Sequence, residues 1–143
     1  EMCSFARELA EREGMRARIV TFNPLKRAPE GLEGVCLPKP EEWVALFRDA
    51  SYVVTDSFHG TCFSLLFEHP MIVFDPPKFS VRLKDVLADF GLADRRVSED
   101  CDPMHIAAEP INWDSVRTKK EEFSGEAKAF LDGVFGVSER ADV

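Results

Sequence analysis

Two short stretches hold the side chains best suited to act on an anion: Asp56-Ser57-Phe58-His59-Gly60-Thr61, between a β-branched run and an apolar run, and Lys78-Phe79-Ser80-Val81-Arg82. An imidazole titrates near neutral pH, and a guanidinium keeps its charge and grips carboxylates or phosphates through paired N–H donors. Both residues fall where the first turn of a helix is expected, with Asp56 or Ser57 able to cap the first helix and Ser80 the second. A helix start offers free N–H groups and the positive end of its dipole, a combination that attracts anions and disfavours cations. His59 therefore loses its proton more readily unless an anion sits beside it, and Arg82 carries a local conflict of about 0.3–1 kcal/mol that a bound carboxylate or phosphate relieves. Gly60 and Ser64 leave one strip of the first helix without bulk, open to close approach by a backbone or a ligand.

Each residue also has a purely structural reading. Ser57 serves as an ordinary cap, His59 fills a junction with its ring bonded to backbone, and Arg82 reaches a surface acid such as Asp85. Elsewhere the signals are weaker. Lys78 and the Asp94-Arg95-Arg96 turn read as solvated, His69 and His105 lack partners at metal-ligand spacing, and Trp43 and the phenylalanines read as core. The chain has no G-x-G-x-x-G loop, no G-x-x-x-x-G-K-[ST] loop and no G-x-S-x-G elbow, which removes support from dinucleotide, ATPase and serine hydrolase chemistry.

The elements that must position these residues alternate between helix and strand. Helical spacing predicts a helix over Met2 to Glu13 stopped at Gly14, another from Glu41 through Trp43, Leu46, Phe47 and Ala50, one from Phe58 to Phe67, and one carrying Leu83, Val86, Leu87 and Phe90 up to Gly91. Strands are expected at Ala17–Phe22, Val35–Leu37, Tyr52–Thr55, Met71–Phe74 and Arg96–Val97. No periodicity marks Ser98 to Pro110, and residues 113–136 read as a long terminal helix with Phe123, Ala127, Phe130, Leu131 and Val134 on its apolar side. The expected fold is α/β: an open, mostly parallel sheet with helices on both faces, in which ligands bind beyond the carboxyl ends of the strands.

Composition sets outer bounds. With 143 residues, 45% of them hydrophobic and 12 of them Phe, residues 1–143 can bury the core of one domain. The opening already reads as helix, so the chain is expected to be a piece of a longer protein. A formal charge of −8 disfavours nucleic acid and anionic membranes as partners, so any anion site must be local. Cys3, Cys36, Cys62 and Cys101 form no C-x-x-C pair and suggest neither a metal site nor a disulfide framework, consistent with a cytoplasmic setting. No apolar run approaches the roughly 20 residues of a membrane span.

Pro40-x-x-Trp43, the strand running into Thr55-Asp56-Ser57-Phe58-His59-Gly60-Thr61, Phe63-Ser64-x-x-Phe67, Pro70, and Arg82-x-x-Asp85-x-Leu87 with Gly91-Leu92 and Arg95 together resemble the polysaccharide pyruvyl transferase family. The likeness spans about half the chain, is most specific at Ser57-Phe58-His59-Gly60, and departs at Met71, where an aromatic residue is expected. It implies the carboxyl-terminal, Rossmann-like domain of a two-domain enzyme similar to type-B glycosyltransferases. It also implies transfer of the enolpyruvyl unit of phosphoenolpyruvate to a sugar or lipid-linked saccharide, giving a pyruvate ketal, with no other cofactor and no metal. A lipid-linked acceptor would place the enzyme at the inner face of a membrane. On this likeness His59 is the catalytic residue, and Ser57, Gly60, Thr61 and Arg82 bind the donor anion. Two alternatives stay open: a nucleotide-sugar-dependent glycosyltransferase domain, and a non-catalytic domain that binds anions or sugars.

Overall fold

The computed structural model describes residues 1–76, 80–98 and 101–136. Its elements are α1 (Met2–Arg12), β1 (Arg18–Thr21), β2 (Glu33–Cys36), α2 (Pro40–Arg48), β3 (Val53–Thr55), α3 (Phe58–Phe67), β4 (Met71–Phe74), α4 (Val81–Asp89), β5 (Arg96–Val97), α5 (Pro103–Ala108) and α6 (Trp113–Phe135). Every described strand pairing is parallel, as the alternation predicts. Hydrogen bonding divides the strands into two ladders, β1 with β2, and β3-β4-β5 with β4 in the middle.

β4 organises the larger ladder. Its four residues are apolar and none is more than 7% exposed, so water reaches neither face. Alternate side chains of a strand point to opposite faces. Met71 and Val73 accordingly pack with Leu65 of α3, Leu83 and Leu87 of α4, and Val116 of α6. Ile72 and Phe74 pack with Phe5 and Leu9 of α1 and Val97 of β5, with Met104, Ile106 and Ala107 of α5 against them. Each such burial contributes about 2 kcal/mol, and together they place helices on both sides of the ladder.

Local signals start and stop the helices. Pro40 opens α2 at its first position, Glu41 and Glu42 stand in its first turn, and the Glu42 carboxylate accepts the Lys39 N–H at 2.8 Å. Trp43 and Phe47 then meet Phe63 of α3 at ring separations of 5.0 and 5.8 Å, seating α2 on α3.

α5 lies where no periodicity was expected. Six residues are too few to display a helical stripe, and its start is written instead in Asp102-Pro103: the Asp102 carboxylate accepts the Met104 N–H at 2.9 Å and Pro103 takes the first position. Its far end corrects the reading of Asp94-Arg95-Arg96 as a solvated turn. Arg95 is 3% exposed and donates to the carbonyls of Ile106, Glu109 and Pro110 at 3.0, 2.7 and 3.4 Å, while Asp94 holds its other edge at 2.9 Å. The guanidinium supplies donors to carbonyls that the short helix cannot satisfy itself.

α6 spans nearly the expected range but is seated only over its first part. Val116 is buried, Phe123 meets Phe90 at 5.5 Å, and Phe130, Leu131 and Val134 are 69%, 49% and 61% exposed. Polar contacts complete the seating. Arg117 pairs with the Glu68 carboxylate at 2.7 Å, and Lys120 donates to the Leu65 and Leu66 carbonyls at the end of α3. No described helix is long and apolar enough to cross a membrane.

The hydrogen bond from Arg117 is the main reason that Glu68 is held below the ordinary carboxylate range, with Lys120 adding to it. A depressed carboxylate stabilises the fold above its unfolded pKa, and that contribution is lost as pH falls through the folded value. Glu68→Gln should therefore melt below wild type at neutral pH, with the two curves converging below about pH 4. Thermal melts across pH check this; a constant gap would show that the charge is not involved.

Candidate functional site

The carboxyl end of β3 passes directly into α3 through Asp56 and Ser57. Thr55 Oγ1 accepts the Ser57 N–H at 3.0 Å and folds the chain back towards the helix start. Of the two caps that the sequence allowed, Ser57 is the one used: it has extended backbone, and its Oγ accepts the Gly60 N–H at 3.4 Å. The exposed Asp56 stands one residue ahead of it.

Gly60, Thr61 and Ser64 turn inward. Thr61 and Ser64 are fully buried, and their hydroxyls donate to the carbonyls of Ser57 and Gly60 at 3.1 and 2.8 Å. A Cβ on Gly60 would lie 3.2 Å from Thr55 Cβ and closer still to its Oγ1, so the glycine admits the strand rather than a ligand. The Thr61 N–H goes to the Ser57 carbonyl at 2.9 Å. The Ser57 and Gly60 amides are also partnered, and among the described residues the first-turn N–H groups of Phe58 and His59 have no acceptor.

His59 is exposed at this turn. Its ring meets Phe58 edge to face with centroids 5.8 Å apart, and the Arg82 guanidinium carbon lies 5.8 Å from the centroid of the same Phe58 ring. One aromatic side chain, partly buried against the core cluster on the α4 face of the ladder, thus lies beside both candidate residues. The role of Phe58 was not read from the sequence, because an aromatic residue in a helical stripe looks like core. Its place between Ser57 and His59 was the signal available.

Arg82 is exposed in the first turn of α4, and among the described residues it forms no ion pair, with Asp85 or any other acid. The Phe58 face partly offsets its conflict with the helix dipole, by about 0.5–1 kcal/mol. Ser80 departs from expectation. Its backbone is already helical at φ −69° and ψ −15°, and its side chain makes no cap bond, so no side chain of its own caps α4.

Lys78 lies outside the described residues. His69 bonds the Arg48 carbonyl through Nε2 at 3.0 Å, joining α2 to the end of α3. Asp75, just past β4, is held below the ordinary carboxylate range chiefly by its hydrogen bonds from Arg96. Among the described residues no group of three His, Cys, Asp or Glu side chains is placed to hold a metal, and all four cysteines are free.

The site therefore combines two amides without an acceptor among the described residues, an imidazole and a guanidinium around one aromatic ring, a set able to hold a small multivalent anion and to donate a proton to it. A family model described as polysaccharide pyruvyl transferase matches residues 4–77, a span that includes Ser57, His59, Gly60 and Thr61 and stops short of Arg82. No curated protein and no solved structure matches the chain.

The Gly60 contact gives a direct check on the geometry. Gly60→Ala should lower stability by about 1–3 kcal/mol through overlap with Thr55, and the same substitution should cost less in a Thr55→Ala background, which lacks the Oγ1 that the added methyl would meet. Urea melts of the single and double variants measure this.

Proposed function

The chain belongs to the polysaccharide pyruvyl transferase family, and we propose that its site binds phosphoenolpyruvate and passes the enolpyruvyl unit to a sugar hydroxyl, forming a pyruvate ketal. The observation that carries this reading is the shared contact of His59 and Arg82 with Phe58 at a helix start where, among the described residues, the Phe58 and His59 amides have no acceptor. Phosphoenolpyruvate carries a carboxylate and a phosphate on one small carbon frame, and its activation requires a proton.

In the proposed reaction the Phe58 and His59 amides and the Arg82 guanidinium hold the anionic groups of the donor. His59, as an imidazolium, delivers a proton to the methylene carbon. That carbon becomes a methyl group and the central carbon becomes electrophilic. One sugar hydroxyl bonds to the central carbon, the bond from that carbon to the phosphate oxygen breaks, and a second hydroxyl closes the ketal. Of the two hydroxyl protons, one balances the proton given to the methyl group and the other leaves with phosphate. Ser57, Gly60 and Thr61 support this by shaping the helix start. The acceptor is a polysaccharide or its lipid-linked precursor, the family's substrate class.

The test is turnover of phosphoenolpyruvate by the full-length protein with saccharide acceptors, together with thermal shifts by phosphoenolpyruvate compared with uridine and cytidine nucleotides. Selective stabilisation by the nucleotides would replace this reading with a nucleotide-sugar transferase. His59→Ala should reduce turnover by at least ~10²-fold, and near-wild-type turnover would remove His59 from the proton transfer. Arg82→Ala should instead raise the donor KM and leave the acceptor KM nearly unchanged, because its contact is common to ground and transition states. Steady-state kinetics with each substrate varied separates the two.

A further inference from the structure

Arg96 stands apart from the residues assigned above. It opens β5, one of the two edge strands of its ladder, in register with Val73 of β4. Residues in register share a face of a parallel ladder, so the Arg96 side chain leaves on the side where Val73 packs with Leu83 and Leu87 of α4. Val97, its neighbour, points to the opposite face and packs with Phe5 and Leu9.

The guanidinium does not lie idle along that face. Nε donates to Asp75 Oδ1 at 2.7 Å and Nη2 donates to Asp75 Oδ2. Asp75 follows Phe74, the last residue of β4, whereas Arg96 is level with Val73. The pair therefore draws the guanidinium forward to the carboxyl edge of the ladder, on the α4 side. This is the edge at which α3 begins, with His59 in its first turn, and beyond which α4 begins, with Arg82 in its first turn.

The pair is neither buried nor fully solvated, with side-chain exposures of 28% for Arg96 and 34% for Asp75. Asp75 takes the Nε and Nη2 edge, and among the described residues Nη1 has no acceptor. Lys84 of α4 also acts on Asp75, so a single carboxylate faces two cations at this edge. A guanidinium fixed by a carboxylate along one edge has little orientation left to lose when it binds along another.

Building on the phosphoenolpyruvate reading, we propose that Arg96 is a second donor-binding guanidinium. Asp75 orients it, and its free Nη1 edge takes one anionic group of phosphoenolpyruvate while Arg82 and the amides at the α3 start take the other. A donor with two separated anionic groups needs two such positions, and Asp75 becomes a positioning residue. A clip that merely ties the edge strand to β4 would use the same hydrogen bonds, so the test must read binding apart from stability.

Steady-state kinetics and melting temperatures of the full-length protein do this. Arg96→Gln should raise the donor KM by roughly 10- to 100-fold with the acceptor KM nearly unchanged. Arg96→Lys should recover part of that loss as a point charge without paired donors. Asp75→Asn, which leaves the charge on Arg96 but loosens its orientation, should raise the donor KM by a smaller factor. Inhibition by inorganic phosphate should weaken in the same order. Unchanged donor KM in Arg96→Gln with a lowered melting temperature would reduce the pair to a clip and overturn the proposal. Should Arg96→Gln fail to fold, Arg96→Lys decides in the same way. If Arg82→Ala raises the donor KM and Arg96→Gln does not, only the Arg96 assignment fails; if the wild type turns over no phosphoenolpyruvate, the functional reading fails with it.

Discussion

A strand closed to water on both faces has to be paired along both edges and covered on both sides, and Met71-Ile72-Val73-Phe74 imposes that condition on its surroundings. Parallel ladders with β3 and β5 satisfy its backbone. α3, α4 and the start of α6 close one face, and α1 with α5 closes the other. Because the strands are parallel, the chain leaves β3 and β4 at the same edge. α3 begins immediately beyond that edge, and the path from β4 leads on to α4. The meeting of their first-turn side chains over Phe58 thus follows from the way the central strand is buried.

At that edge the packing inside α3 and the surface it presents are coupled. Thr55, Ser57, Gly60, Thr61 and Ser64 bond one another or touch across the strand-helix junction, which fixes the angle at which the helix departs. Of the next positions around the helix, Phe58 packs on the core and His59 is turned outward, and among the described residues neither amide has an acceptor. Phe58 holds both neighbours within its reach, limiting the freedom that His59 and Arg82 would otherwise lose on binding an anion. In a chain of formal charge −8, any attraction of this edge for an anion has to come from its own side chains and helix starts rather than from net charge.

The outer elements depend on polar pins more than on apolar cover. α5 has no buried residue of its own, and Arg95 reaches under it to the carbonyls at its end. α6 is fastened where Arg117 and Lys120 meet Glu68 and the carbonyls at the end of α3. Glu68 terminates α3 in the left-handed conformation at φ 58°, a position that a glycine would adopt with less strain. Its carboxylate, bridging to two cations of another helix, is a physical reason for a side chain there.

The sequence by itself determined the α/β class, the extents of α3, β4 and β5, and the histidine at a strand-to-helix junction, because period, β-branched runs and caps are local properties that tertiary contacts here reinforce. It did not reveal α5, whose six residues are too short to show a period, nor that Ser80 would enter its helix without capping it. Arg95 and Arg96 looked alike on paper and became opposites in the fold, one buried under carbonyls and the other drawn to the sheet edge by Asp75. Gly60 left open approach by a backbone or by a ligand, and in the fold it is Thr55 of the strand that comes close. These outcomes were decided by tertiary structure alone, since each depends on an atom remote in the chain or on the direction a side chain takes from its backbone. Sequence spacing specifies which groups share a face, but only packing specifies what that face meets.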